Sequence, residues 1–237
     1  MVRVTGVQTG QRALDVGCGT GALTATLAEV LGTENVAAID PSERFVAACS
    51  TRLPGVDVRI GTAEELPWAD AEFDAVLAQL VVDGMNDARR GAEEMRRVAR
   101  PGGALSACVW DFGRGMTLLR AVWDSALDVD AELARSFGAY KSNPFSRPHE
   151  LQELWRATGF EAVELGQVEA GADYADFDDL WYPFVHGVGN LGRFHEALDE
   201  RVRERFKRGA AERLGSPSGP FRLTATAWYV RGAAPAG

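Results

Sequence analysis

The chain has 237 residues, 46% of them hydrophobic, and a formal net charge of −9. That much apolar material fills one large domain, while the acidic balance leaves no basic footprint for nucleic acid or for an anionic membrane. No apolar run approaches a membrane span, the N-terminus lacks a signal peptide's apolar core, and Cys18, Cys49 and Cys108 read as reduced thiols of a cytoplasmic protein.

The first ten residues are expected to form no helix, since Thr5, Gly6, Thr9 and Gly10 are poor helix formers in a short segment. Ala13-Leu14-Asp15-Val16 suits a buried parallel strand. Gly17, Cys18, Gly19, Thr20 and Gly21 make a tight turn, and Leu23, Leu27, Val30 and Leu31 then recur at helical spacing from Ala22. Strand, glycine turn and helix is a nucleotide-site layout: glycines let backbone approach a ligand, and the helix start offers unpaired N–H groups. A second strand runs from Asn35 to Ile39 and ends in Asp40-Pro41-Ser42. Ser42 would cap a helix with Phe45, Cys49 and Leu53 on one face, broken by Pro54-Gly55. Val56 to Ile60 is a third strand, Gly61 to Trp68 a loop, and Phe73 to Leu80 a fourth strand. Ala88, Ala92, Met95 and Ala99 mark a helix stopped by Pro101-Gly102-Gly103, before a fifth strand from Ala104 to Trp110. This alternation implies a parallel sheet with helices on both faces.

Met116 to Ser136 reads as helical, and Pro148 to Gly159 as a helix with Leu151, Leu154 and Trp155 on one face. Phe160 to Val168 is the sixth strand, Asp176 to Leu214 holds further helix with Phe194, Leu198 and Val202 together, and Phe221 to Val230 is the seventh strand. Gly232 to Gly237 looks like a frayed tail. Segments 113–143 and 170–215 lie outside the sheet-and-helix layers and are dense in aromatics: Trp123, Phe137, Tyr140, Tyr174, Phe177, Trp181, Tyr182, Phe184 and Phe194. Such density suits a packed core, or a cover over a ligand site.

The glycine spacing also fits a dinucleotide fingerprint, with Asp40 placed as its ribose-binding acid. Asp15 separates the two readings. A carboxylate two residues before the first glycine repels a pyrophosphate and suits a cationic ligand, such as the amino group and sulfonium of S-adenosylmethionine.

ALDVGCGTG, Ala13 to Gly21, closely resembles the first motif of the class I S-adenosylmethionine-dependent methyltransferases. The likeness is specific over Gln11 to Phe112 and one of layout only over Pro148 to Arg231. It implies a doubly wound, Rossmann-like α/β fold over residues 1–237, with a seven-stranded sheet whose last strand runs antiparallel between the fifth and sixth. On this resemblance 113–143 and 170–215 are helical substrate-cover insertions. S-adenosyl-L-methionine is then the cofactor, held by Asp15, Gly17, Cys18, Gly19 and Gly21. Asp40, with Pro41, takes the ribose hydroxyls, Thr62, Ala63 and Glu64 surround the adenine, and Gln79 adjoins the methionine moiety. Relatives often have Asp at the Thr62 position, so Glu64 is the other candidate acceptor.

Trp110, Trp181, Tyr182 and His186 are the substrate-pocket candidates, with His186 the candidate proton acceptor. His149 reads as a helix-start residue and His195 as a surface one. No His, Cys or carboxylate pair has metal-ligand spacing, and there is no Gly-x-Ser-x-Gly elbow. The expected function is methyl transfer to an O, N or C atom of a small molecule. The alternatives are a protein that binds the nucleoside without catalysis, or an NAD-dependent oxidoreductase. Relatives usually carry helices ahead of the first strand that cross the site's mouth. Either the chain continues upstream of Met1, or the later insertions take over that closing role; the aromatic content of 170–215 favours the second.

Overall fold

The computed structural model describes residues 1–139, 144–145 and 147–236. The elements up to the fifth strand are α1 (Val2–Thr5), β1 (Ala13–Val16), α2 (Ala22–Leu31), β2 (Val36–Asp40), α3 (Glu43–Arg52), β3 (Asp57–Ile60), β4 (Phe73–Gln79), α4 (Ala88–Val98) and β5 (Ala99–Trp110). There follow α5 (Thr117–Val129), α6 (Ala131–Ser136), α7 (Pro148–Ala157), β6 (Glu161–Tyr174), α8 (Phe177–Val185), α9 (Gly189–Ala197), α10 (Glu200–Arg213) and β7 (Phe221–Ala233). The seven strands form one sheet in the order β3-β2-β1-β4-β5-β7-β6. β1 is parallel to both β2 and β4, and β7 is antiparallel to β5, as the fold reading expects. Strand order therefore reverses between β1 and β4, and ligands of open α/β sheets bind outside such a point.

Two compact units make up the chain. The first comprises Met1–Trp110, Pro144–Val168 and Ala227–Gly237. All four residues of β1 are buried, because helices cover both faces of a central parallel strand. Alternation along the strand sends Leu14 and Val16 into a cluster with Met95 and Val98 of α4 and Leu151 and Trp155 of α7. Ala13 faces the opposite way, packing with Leu23, Leu27 and Leu31 of α2.

The second unit comprises Asp111–Asn143 and Glu169–Thr226. Its own core brings Val122 and Ala126 of α5 onto Trp181 of α8, Phe194 of α9 and Phe206 of α10. Trp181 lies edge-on to Phe206 at 5.0 Å and to Phe184 at 5.1 Å. α5 and α10 approach closely: the Ser125 hydroxyl donates to the Phe206 carbonyl at 2.7 Å, and a Cβ on Gly209 would lie 2.5 Å from that hydroxyl. Most of the aromatics noted in the sequence are thus core in this unit. Tyr182 is the exception at 62% exposed, and Tyr140, with the end of segment 113–143, lies outside the described residues.

Several boundaries depart from expectation. One helical turn, α1, does form near the N-terminus, with the Thr5 and Ser106 hydroxyls hydrogen-bonded at 2.5 Å; a tertiary contact supplies what propensity lacks. α4 stops at Val98, short of Pro101, because Ala99 already pairs with Phe73 in the sheet. The helical stretch at Met116–Ser136 divides at Asp130, whose carboxylate accepts the Leu133 N–H at 2.9 Å and starts α6. The stretch at Asp176–Leu214 is three helices, so Phe194 and Val202 lie on different ones. In α3 the buried residues are Val46 and Cys49, while Phe45 is 46% exposed.

Candidate functional site

The site residues brought together by the fold all belong to the first unit, at the carboxyl ends of β1 to β4. The Gly17 and Cys18 N–H groups both donate to the Ile39 carbonyl, at 2.8 and 3.0 Å, pinning the glycine turn to β2. Gly17 has φ +73°, and a Cβ there would sit 2.8 Å from Val81 Cβ, so both backbone and space demand glycine. Gly21, at φ +86°, starts α2 with no side-chain cap. The turn and the start of α2 face a cavity of about 390 Å³ that Asp15, Asp40, Phe45, Gln79 and Leu80 also line.

Asp15 is the anomaly of this cavity. It is 1% exposed, its Oδ2 accepts the Thr24 hydroxyl at 2.7 Å, and its Oδ1 has no partner. Burial pushes its carboxyl up to about 7, against the pull of the Thr24 hydroxyl and backbone N–H and with a further push from Asp40. A buried acceptor without a donor, on a wall of the cavity, is a place for a cationic or N–H-bearing ligand group. The ammonium of S-adenosylmethionine fits that need; a pyrophosphate does not.

Asp40 ends β2 with both oxygens engaged: Oδ2 accepts the Gly19 N–H and Oδ1 the Ser42 N–H, each at 2.9 Å. It therefore ties the glycine turn to the start of α3, where Ser42 caps by accepting the Phe45 N–H at 3.4 Å. A carboxylate oxygen has more than one lone pair, so this duty leaves acceptor capacity for hydroxyls. Cys18 is buried beside Cys49, and burial drives its thiol far above the usual range, so it serves as small apolar filler.

A second cavity, of about 100 Å³, opens at the end of β3 between Ile39, Pro41, Thr62, Ala63, Val81 and Met85. Its mostly apolar walls suit the faces of a planar base. The Glu64 carboxylate is turned to other work, accepting the Asn86 and Asp87 N–H groups at 2.9 and 3.1 Å. Burial raises its affinity for a proton, but those bonds and the Thr62 hydroxyl outweigh this and leave the group below its usual range. Gln79 ends β4, and Leu80 beyond it takes φ +60°, a left-handed conformation unusual for leucine.

The expected acceptor-side residues are divided between the two units. Trp110 ends β5 opposite Ala227 in the sheet. In the second unit Trp181 is core, whereas Tyr182 on α8 and His186 just after it are exposed, with their rings 3.9 Å apart. The His186 Nδ1 lies 2.8 Å from the Tyr182 carbonyl. His195 is corrected from surface to buried: it is 8% exposed, lies 6.2 Å from the Trp181 ring, and its Nδ1 has no partner. Sequence reading also missed Thr24, Val81 and Met85. Thr24 alone left a trace, as a polar residue one position past Leu23 on the inner face of α2.

A buried acid beneath a glycine turn, with a second carboxylate closing the next strand, defines a nucleoside-binding site of the Rossmann-like class. A family model described as "Methyltransferase domain" matches residues 14–107. The O-methyltransferase resE of Aspergillus sclerotiorum is 31% identical over 169 residues, covering 67% of this chain and 58% of that protein. The ubiquinone biosynthesis O-methyltransferase of Rhizobium rhizogenes is 31% identical over 176 residues, covering 73% of this chain and 67% of that protein. Among solved structures, the YcgJ protein of Bacillus subtilis aligns with a TM-score of 0.62 at 18% identity, covering 100% of this chain and 97% of that one. The chain belongs to the class I S-adenosylmethionine-dependent methyltransferase family, whose cofactor is S-adenosylmethionine. The chain spans 58% of the length of the first of these relatives.

Proposed function

We propose that this chain transfers a methyl group from S-adenosylmethionine to an oxygen of a small, partly apolar acceptor. The observation that carries the reading is the partnerless Oδ1 of buried Asp15 on the wall of the larger cavity. Asp15 would hold the ammonium group, Gly17, Cys18, Gly19 and Gly21 would give the methionine and ribose close backbone approach, and Asp40 would accept from the ribose hydroxyls. A ribose at Asp40 directs its base past Pro41 into the smaller cavity, against Thr62, Ala63 and the Glu64 backbone. Gln79 would border the methionine end. The cofactor supplies an activated methyl group on sulfonium, which leaves as a neutral thioether while the acceptor oxygen takes the methyl. The protein's share is alignment and exclusion of water, and positioning of this kind is worth roughly 7–11 kcal/mol.

The relatives' printed names support an oxygen acceptor. A hydroxyl must then lose its proton before or during attack on the methyl group. Segments 113–143 and 170–215 are proposed to carry the acceptor-binding surface. A cytoplasmic setting belongs to the same proposal, supported by three free, buried thiols. No helix of the described residues is long and apolar enough to cross a membrane.

Calorimetry with S-adenosylmethionine, S-adenosylhomocysteine and NAD tests the cofactor, and labelled-methyl transfer to a panel of phenols, acids and amines tests the reaction. Binding of the first two without NAD, and methyl ether or ester products, are expected. Tight NAD binding, or transfer to nitrogen only, would overturn the corresponding part.

A further inference from the structure

The loop that follows β3 is fastened along the whole length of α4. At the helix start, Glu64 accepts the Asn86 and Asp87 N–H groups. In mid-helix, Gly91 stands against the loop: a Cβ there would lie 2.7 Å from Met85 Sδ and 3.3 Å from Ala63 Cβ. Towards the helix end, Glu94, only 3% exposed, accepts the Leu66 N–H at 3.0 Å while Arg97 donates to the Leu66 carbonyl at 2.9 Å. Arg97 goes on to the Trp68 carbonyl at 2.9 Å and Asp70 at 2.8 Å, and it grips Glu94 through two bonds of 2.9 and 2.7 Å. Those bonds occupy the five N–H donors a guanidinium has. Both backbone groups of Leu66 are thus spoken for, which fixes its peptide planes, while the Glu64 side chain ties the same stretch to the start of α4.

This is more fastening than a surface loop requires. A buried carboxylate and a saturated guanidinium are costly to desolvate, and such pairs are best attested where one particular arrangement must be specified. The fastened stretch begins at the wall of the smaller cavity, which Thr62, Ala63, Glu64 and Met85 help to line.

We propose that α4 sets the base specificity of the site, with Glu94, Arg97 and Gly91 as positioning residues. They hold the loop so that its backbone groups match the donor and acceptor edge of adenine and reject a 6-oxo purine. The inference rests on the cofactor reading above. Discrimination of this kind depends on fixed backbone groups, because a loop free to rotate its peptide planes serves either edge.

The test measures affinities for S-adenosylhomocysteine and for S-inosylhomocysteine, its 6-oxo counterpart, in the wild type, Glu94→Gln, Arg97→Lys and Gly91→Ala, with circular dichroism on each. Wild type should prefer the adenine compound, and each variant should bind it at least tenfold more weakly with the preference reduced at least fivefold. Gly91→Ala decides the matter if either charge variant fails to fold. Alanine is the better helix former at a helical position, so a loss of affinity there comes from the displaced Met85 and Ala63 and not from a weakened helix. Folded variants with unchanged preference would overturn the proposal. A wild type that binds neither compound would overturn the cofactor reading, and the inference with it.

Discussion

Asp15 pays for its position in stability and recovers it on binding. Its carboxyl moves from an ordinary 3.8 to about 7 because burial disfavours the charged form. Between those values the folded chain holds a proton that the unfolded chain has released, so the ligand-free protein loses stability as pH rises from about 4 to about 7. At full ionisation the cost is roughly 4 kcal/mol. A cation bound beside Asp15 favours the carboxylate, so affinity for S-adenosylhomocysteine should climb with pH up to about 7 and then level, with a proton released on binding below that point. Calorimetry in buffers of different ionisation enthalpy checks this, and Asp15→Asn should flatten both trends. An affinity in the wild type that is constant from pH 5.5 to 8 would refute the assignment. His195 acts in the opposite sense. Burial, then the charge of Arg203, holds its imidazole below the usual 6.5, despite the opposing pull of Glu196 and Glu204. Its contribution is present above about pH 6.5 and lost as pH falls, since the unfolded chain takes the proton first. His195→Phe, facing Trp181 and Phe206, should reduce acid sensitivity in thermal melts.

Among the elements, the β1–turn–α2 unit depends on one contact that its own residues do not reveal. Gly17 is enforced twice, by φ +73° and by Val81 arriving from beyond β4. Gly17→Ala should cost about 2–4 kcal/mol, combining left-handed strain with overpacking. Adding Val81→Ala should restore the packing part and leave about 1–2 kcal/mol of strain. Urea unfolding of the two single variants and the double variant measures the coupling, and strict additivity would show that Val81 is not the neighbour that matters.

For the whole molecule, the strand-and-helix rhythm of the first 110 residues was legible because most of the strands carry apolar or alternating runs closed by Gly or Asp, and the helices between them show a helical period. Asp15, the glycine turn, Asp40 and the cofactor class could be read there for the same reason: local spacing places them at adjoining strand ends. The antiparallel seventh strand came from resemblance alone, since nothing in Phe221 to Val230 states its direction. The boundary at Asp130 was decided by a capping bond to Leu133, and the one at Val98 by sheet pairing with Phe73, which joins residues far apart in sequence. So was the fate of the aromatics: Trp181, Phe194 and Phe206 form a core because three separate helices converge, and His195 is buried for that reason too. The fastening of the loop after β3 likewise needed coordinates, because Glu94 and Arg97 look like any solvated pair at helical spacing until Leu66 is brought against them. Periodicity and glycine spacing are properties of neighbours along the chain; desolvation, orphaned acceptors and steric demands on a glycine are properties of neighbours in space.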